Sequence, residues 1–129
     1  MNKELITEKI LAGFDSCSQK YGIEKDKVRL RLMCDKGNLK CYLYNEGKAH
    51  PVNGNSEIDL GDLFKLSFLE KKAIVIPYLK NKLFSIGSSH NVEKEHINGF
   101  IKCSDKELSF FVFNGNKQVN QITINDFLN

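Results

Sequence analysis

At 129 residues the chain has the size of one domain and is long enough to bury a working core, which excludes two large domains. With 41% hydrophobic and 27% charged residues, nine Gly and only two Pro, it is neither disordered nor collagen-like. Nineteen Lys and Arg against sixteen Asp and Glu give a net charge of +3, too small by itself to name nucleic acid or an anionic membrane as the partner.

The N-terminus, Met1-Asn2-Lys3-Glu4, opens an amphipathic pattern that contains acids and does not resemble a secretory leader. No stretch approaches the roughly 20 apolar residues of a membrane span, so no membrane partner is expected and the chain reads as a cytosolic product. The stripe Ile6, Ile10, Phe14, Cys17, Tyr21 has the period of one helix face and predicts a helix from about Asn2, as N-cap, to Gly22, at C′. Val28–Cys34 and Leu39–Tyr44 alternate around Asp35-Lys36-Gly37-Asn38, which predicts a hairpin. A second apolar stripe, Val75, Leu79, Leu83, Ile86, predicts a helix over roughly Ala73 to Ser89. Pro77 forces that helix to begin near it or to kink, and the capping-box pattern Ser67-Phe68-Leu69-Glu70 allows the earlier start. A second hairpin follows, Ile97–Cys103 with Leu108–Phe113, and Asn114-Gly115-Asn116 launches another strand that runs to Ile122 and Ile124.

Residues 23–48 align with residues 92–117 without a gap, at an offset of 69, with six identities: Glu24/Glu93, Lys25/Lys94, Cys34/Cys103, Leu39/Leu108, Asn45/Asn114 and Lys48/Lys117. The two helical stripes superpose at the same offset. Further on, Ile58-Asp59-Leu60-Gly61-Asp62-Leu63 corresponds to Ile122-Thr123-Ile124-Asn125-Asp126-Phe127 at an offset of 64, so the first copy carries five extra residues within Ala49–Ser56. The expected fold is α+β: an internal duplication of an αβββα unit, residues 1–69 and 70–129, forming one pseudo-twofold body in which each antiparallel three-stranded sheet packs on a helix.

Strand alternation assigns the faces. Val28, Leu30, Leu32, Leu39, Cys41 and Leu43 face the helix in the first copy, leaving Arg29, Arg31, Met33, Lys40, Tyr42 and Tyr44 opposite; that second face is basic and aromatic. In the second copy Ile97, Gly99, Ile101, Leu108, Phe110 and Val112 face the helix, and Asn98, Phe100, Lys102, Ser109, Phe111 and Phe113 lie opposite. An exposed patch with three Phe needs cover. Either the two sheets stack so that Tyr42 and Tyr44 meet Phe111 and Phe113, or a protein partner or second subunit docks there. The alternative is a single-stranded nucleic acid whose bases stack on the rings while Arg29, Arg31 and Lys40 hold phosphates. Ser109–Phe113 resembles the aromatic strand of RNA-recognition motifs, but the element order αβββα is not theirs and their signature glycines are absent. A further candidate is the inserted loop, where Pro51 and Asn53-Gly54 would present His50, Pro51 and Val52 in a fairly fixed shape.

Chemistry is sparse. His90-Asn91-Val92-Glu93-Lys94-Glu95-His96 holds the one group of metal-ligand types, yet the repeat aligns it with the turn Tyr21–Lys27, where no histidine occurs. Cys17, Cys34, Cys41 and Cys103 form no Cys-x-x-Cys pair, and the hairpin register sets Cys34 opposite Leu39 and Leu32 opposite Cys41, so those two thiols are diagonal. Reduced core thiols in a reducing compartment are expected, with no disulfide. No phosphate loop, dinucleotide glycine pattern, serine elbow, zinc signature or kinase set appears, so no cofactor and no catalytic residue is expected.

The Lys-, Asn-, Ile- and Phe-rich composition, the repeat and the short length resemble small accessory virion proteins of tailed bacteriophages, including auxiliary capsid proteins. The resemblance spans the whole chain and carries over no individual residue. It implies a non-enzymatic structural or assembly role, binding a protein partner or a repeating lattice, and a cytoplasmic or virion-associated location.

Overall fold

The structure is a computed structural model that describes residues 3–54 and 56–129; Asn2, the expected N-cap, and Asn55 of the inserted loop lie outside the described residues. The first apolar stripe forms α1 (Lys3–Tyr21), which buries Ile6, Ile10, Phe14 and Cys17. Gly22 follows at φ 65°, the left-handed conformation that ends a helix without strain. The alternating segments form β1 (Val28–Asp35) and β2 (Asn38–Asn45), joined through Lys36 and Gly37, both at positive φ as a tight hairpin turn demands. Their register pairs Cys34 with Leu39 and Leu32 with Cys41, as the alternation predicts.

A short helix, α2 (Leu60–Leu63), is capped by Asp59, whose Oδ1 accepts from the N–H of Gly61 and of Asp62. The next helical run begins at Phe68 through a realised capping box: Ser67 Oγ accepts from Glu70 N–H, and Glu70 Oε1 accepts from Ser67 N–H. It passes through a π-helical stretch, Glu70–Val75, before α3 (Ile76–Ser89). The widened turn explains how Pro77 is tolerated. Its missing N–H and its ring disrupt the regular ladder one turn upstream, and that is where the π stretch lies. Replacing Ser67 with Ala is expected to cost about 1 kcal/mol in urea denaturation, the usual loss for an N-cap.

The second hairpin is β3 (Ile97–Ser104) with β4 (Glu107–Asn114), followed by β5 (Lys117–Thr123) and α4 (Ile124–Leu128), whose N-cap Thr123 accepts from Asp126 N–H. Ile124 starts this helix and does not extend the strand.

Two three-stranded sheets are not what forms. All strands join one antiparallel sheet in the order β2-β1-β3-β4-β5, with the two hairpins sealed edge to edge through β1 and β3. In the N-terminal half the segment after β2 forms no third strand among the described residues; it touches β2 through the single bridge Cys41 to Ile58 and the bonds Val52 N–H to Leu43 O and Ile58 N–H to Cys41 O. At the seam Arg31 stands opposite Phe100, 69 residues on, flanked by Leu30 opposite Ile101 and Leu32 opposite Gly99. Cys41 and Ile58 bridge where Phe110 and Ile122 pair in the second half.

The helices cover one face of this sheet. Leu30, Leu32, Leu43, Ile101, Phe110 and Val112 from the strands join Ile10 and Phe14 of α1, Leu79 and Leu83 of α3 and Phe127 of α4 in one buried cluster. Both sheet edges are blunted. The outer edge of β2 is crossed at two points by the segment that follows it, at Leu43 O and Cys41 O, and β5 carries a bulge at Val119, between Gln118 opposite Phe113 and Asn120 opposite Val112. Beside the bulge, Asn120 Oδ1 accepts from Gln121 N–H while its amide nitrogen meets His90 Nε2 at 2.9 Å.

Two carboxylates tie folding to pH. Asp59 is held below its ordinary range by its bond to Lys71 (2.6 Å) and then by the capping N–H groups, and Glu70 by the N–H and hydroxyl of Ser67. A lowered pKa in the folded state contributes stability that is present above the unfolded value and lost as pH falls through the folded one. The melting temperature should therefore fall on acidification below about pH 4, less steeply in Asp59→Asn than in the natural chain.

Candidate functional site

Because the hairpins lie side by side, they cannot cover each other's second face, and the expected stack of Tyr42 and Tyr44 on Phe111 and Phe113 does not occur. The residues opposite the helices form one open face across the sheet. Tyr42, Tyr44, Phe100, Phe111 and Phe113 are all half-buried on it, shielded by each other and by neighbouring side chains. The rings of Tyr44, Phe100 and Phe113 run diagonally over four strands, edge to face, with centroids 5.4 and 5.5 Å apart and interplanar angles of 82° and 72°. Lys102 stands over Phe111, 5.9 Å from its centroid.

The three expected cations differ sharply. Arg29 is 8% exposed and committed to structure, paired with Glu46 at 2.9 Å and donating to Asp26 O and Val28 O. Lys40 pairs with Asp35 at 3.2 Å, which raises its pKa. Arg31 is different. Its Nε donates to Asn98 Oδ1 (3.2 Å), its Nη1 to Tyr44 OH (3.4 Å), and its guanidinium lies 5.6 Å from the Phe100 centroid. Among the described residues it has no carboxylate partner, and its Nη2 makes no hydrogen bond.

Sequence reasoning set Asn98 on this face without giving it a part. Asn98 is 5% exposed and fully engaged: it accepts from Arg31 and donates to His96 O and Gly115 O, so it locks the guanidinium to the backbone of the second hairpin. Its neighbourhood with Arg31 arises from the β1–β3 seam, and no local spacing announces it.

The loop after β2 comes back against the same face. His50 and Pro51, with Ala49, form one wall of a groove of about 380 Å³ whose other side is Arg31, Met33, Tyr42 and Tyr44. Val52 is exposed, and its N–H is spent on Leu43 O. A second, smaller depression of about 160 Å³ lies between Tyr44, Phe100, Phe111 and the turn Asn45–Lys48. Tyr42 and Tyr44 of the aromatic set and His50 and Pro51 of the loop thus meet beside Arg31, with Phe100 beneath it, whereas Val52, Phe111 and Phe113 do not line that groove.

The remaining polar candidates lie elsewhere. His90 caps α3, with Nδ1 2.8 Å from Ile86 O. No group of three or more His, Cys, Asp or Glu among the described residues is placed to hold a metal ion. All four cysteines are free thiols; Cys17, Cys41 and Cys103 are buried and Cys34 half-buried. Burial pushes the Cys17 thiol up to about 11 and raises the other three, which keeps the nucleophilic thiolate scarce at neutral pH. Among the described residues no helix is long and apolar enough to cross a membrane.

Family models, curated proteins and solved structures offer no match to this chain.

Proposed function

We propose that the protein is a non-enzymatic binding module that docks a protein partner on the open face of its sheet, in a structural or assembly role. The observation that carries this reading is the diagonal of half-buried rings on the face opposite the one that the described helices cover. Aromatic residues and Arg are the side chains that dominate protein interfaces, and an apolar strip of this kind on a soluble surface marks a docking site. The blunted edges of β2 and β5 add support, because they direct recognition across the face instead of through strand addition.

A duplicated αβββα ancestor fits the same picture. The pairing of Arg31 with Phe100 at the seam, the matched bridges Cys41–Ile58 and Phe110–Ile122, and the side-chain caps Asp59 and Thr123 support it. On this account the first copy exchanged its third strand for the loop that now borders the binding face. The resemblance to auxiliary capsid proteins would make the partner a repeating lattice and the location a virion.

Single-stranded nucleic acid is the second reading, favoured by the placing of Arg31 over Phe100 and Lys102 over Phe111. Two facts weigh against it. Arg29 and Lys40 are neutralised by Glu46 and Asp35, and the rings meet edge to face instead of offering a row of parallel faces.

The test is affinity capture from nuclease-treated source lysate, comparing the natural chain with Phe113→Ser and Tyr44→Ala. The protein-docking reading expects one protein to be retained by the natural chain and lost by both variants. Retention that vanishes with nuclease, together with an elevated 260/280 ratio before treatment, would move the assignment to nucleic acid.

A further inference from the structure

We propose that Arg31 is the anchor of a carboxylate-binding site, and that the partner segment entering the groove beside it carries an acidic side chain flanked by apolar ones. The inference rests on the reading of the open face as a protein-docking surface and names the chemistry that face selects.

The argument begins with charge. A guanidinium on a protein surface ordinarily finds a carboxylate when one is within reach, and Arg29 on the same strand does so with Glu46. Arg31 is held instead by neutral groups, the amide oxygen of Asn98 and the hydroxyl of Tyr44, with Phe100 beneath it. These contacts fix the fork without cancelling its charge. Because Asn98 is itself buried and bonded to two backbone carbonyls, the fork has a rigid support.

Geometry then sets what can approach. With Nε and one Nη1 proton engaged, Nη2 and the second proton of Nη1 remain, which is the edge that receives a carboxylate through two parallel hydrogen bonds. The adjoining groove of about 380 Å³ has Met33, Tyr42 and Tyr44 on the sheet side and His50 and Pro51 on the loop side. Its walls are mixed: Met33, Ala49, Pro51 and the tyrosine rings supply apolar surface, and the Arg31 fork, the His50 ring and the tyrosine hydroxyls supply polar groups. An acidic residue with an aliphatic or aromatic neighbour satisfies both features at once. A neutral segment satisfies only the second, and it would cover an uncompensated cation, which is costly once water is excluded. Specificity follows from that asymmetry.

The experiment is a titration followed by ¹⁵N–¹H correlation spectra at low salt, with three probes: an acetylated, amidated hexapeptide of alternating aspartate and leucine, its asparagine counterpart, and a ten-residue oligothymidylate. The aspartate peptide is expected to shift the Nε–H of Arg31 and the amides of Tyr42, Tyr44 and His50 in a saturable manner. Arg31→Gln, and the asparagine peptide on the natural chain, should each bind about tenfold more weakly. Arg31→Lys, which keeps the charge and loses the fork, should fall between, and it supplies the comparison if the glutamine variant loses its native spectrum. Equal binding of the two peptides would overturn the carboxylate site while leaving the docking face in place. Binding of the oligothymidylate alone would overturn both this site and the protein-docking reading. Absence of shifts on this face with every probe would overturn the Arg31 site, the docking reading then standing or falling on the capture experiment.

Discussion

Gly99→Ala is expected to be the most damaging single-methyl change in the protein, costing roughly 3 kcal/mol or more, as for overpacking at a site that cannot yield. Gly99 lies on β3 at the seam between the hairpins, opposite Leu32 on one side and Val112 on the other. The ring of Phe110 is drawn across it: a Cβ placed on Gly99 would collide with Phe110 Cζ and would lie only 2.5 Å from the carbonyl oxygen of Phe111. The first clash is with a side chain that has nowhere to go, since Phe110 is fully buried and stacks on Phe127 at 3.9 Å between centroids and 8° between planes. The second is with backbone. Relieving the ring clash by Phe110→Leu should therefore recover only part of the loss. Chemical denaturation of both single variants and the double variant measures this, and a Gly99→Ala chain of undiminished stability would mean that the seam is not packed as described.

The second large effect separates two adjacent phenylalanines. Phe110→Ala should cost about 3–5 kcal/mol, because it empties the centre of the core and unstacks Phe127. Phe111→Ala, one position along the same strand, should cost only about 1 kcal/mol, because its ring is half-buried on the open face under Lys102. The contrast tests the face assignment directly. If the two variants were destabilised equally, the Phe111 face would have intramolecular cover and could not be a docking surface.

Much of this architecture was legible where information is local. The register of each hairpin follows from strand alternation and from a turn a few residues long, so Cys34 with Leu39 and Cys103 with Leu108 pair as expected. The seam is another matter. No turn joins β1 to β3, and they meet because two half-covered hairpins bury more when laid edge to edge under a shared helical layer. Alternation describes faces and is silent about which strand becomes a neighbour. That gap hid the single sheet, the uncovered aromatic face and the hold of Asn98 on Arg31. The absence of a third strand after β2 was hidden for a related reason: Ala49–Ser56 was read as an addition to a complete three-stranded sheet, whereas the segment after β2 meets that strand only at Leu43 and Cys41. At the site, residue types pointed to a basic and aromatic surface, but the distinction among Arg29, Arg31 and Lys40 depends on where Glu46 and Asp35 come to rest.

The two blunted edges bear on stoichiometry. A sheet with a free flank can add copies of itself without limit, so that each bound molecule becomes a nucleus for the next. Here one flank is crossed by the chain's own loop at Leu43 and Cys41, and the other is kinked at Val119, with Asn120 bonded to Gln121 N–H and His90. Under the docking proposed above, a molecule shaped this way would fill its partner's sites one copy each, because its edges do not recruit further copies. Coverage of a surface by such a protein would then have a fixed ceiling set by the surface and not by the supply of protein.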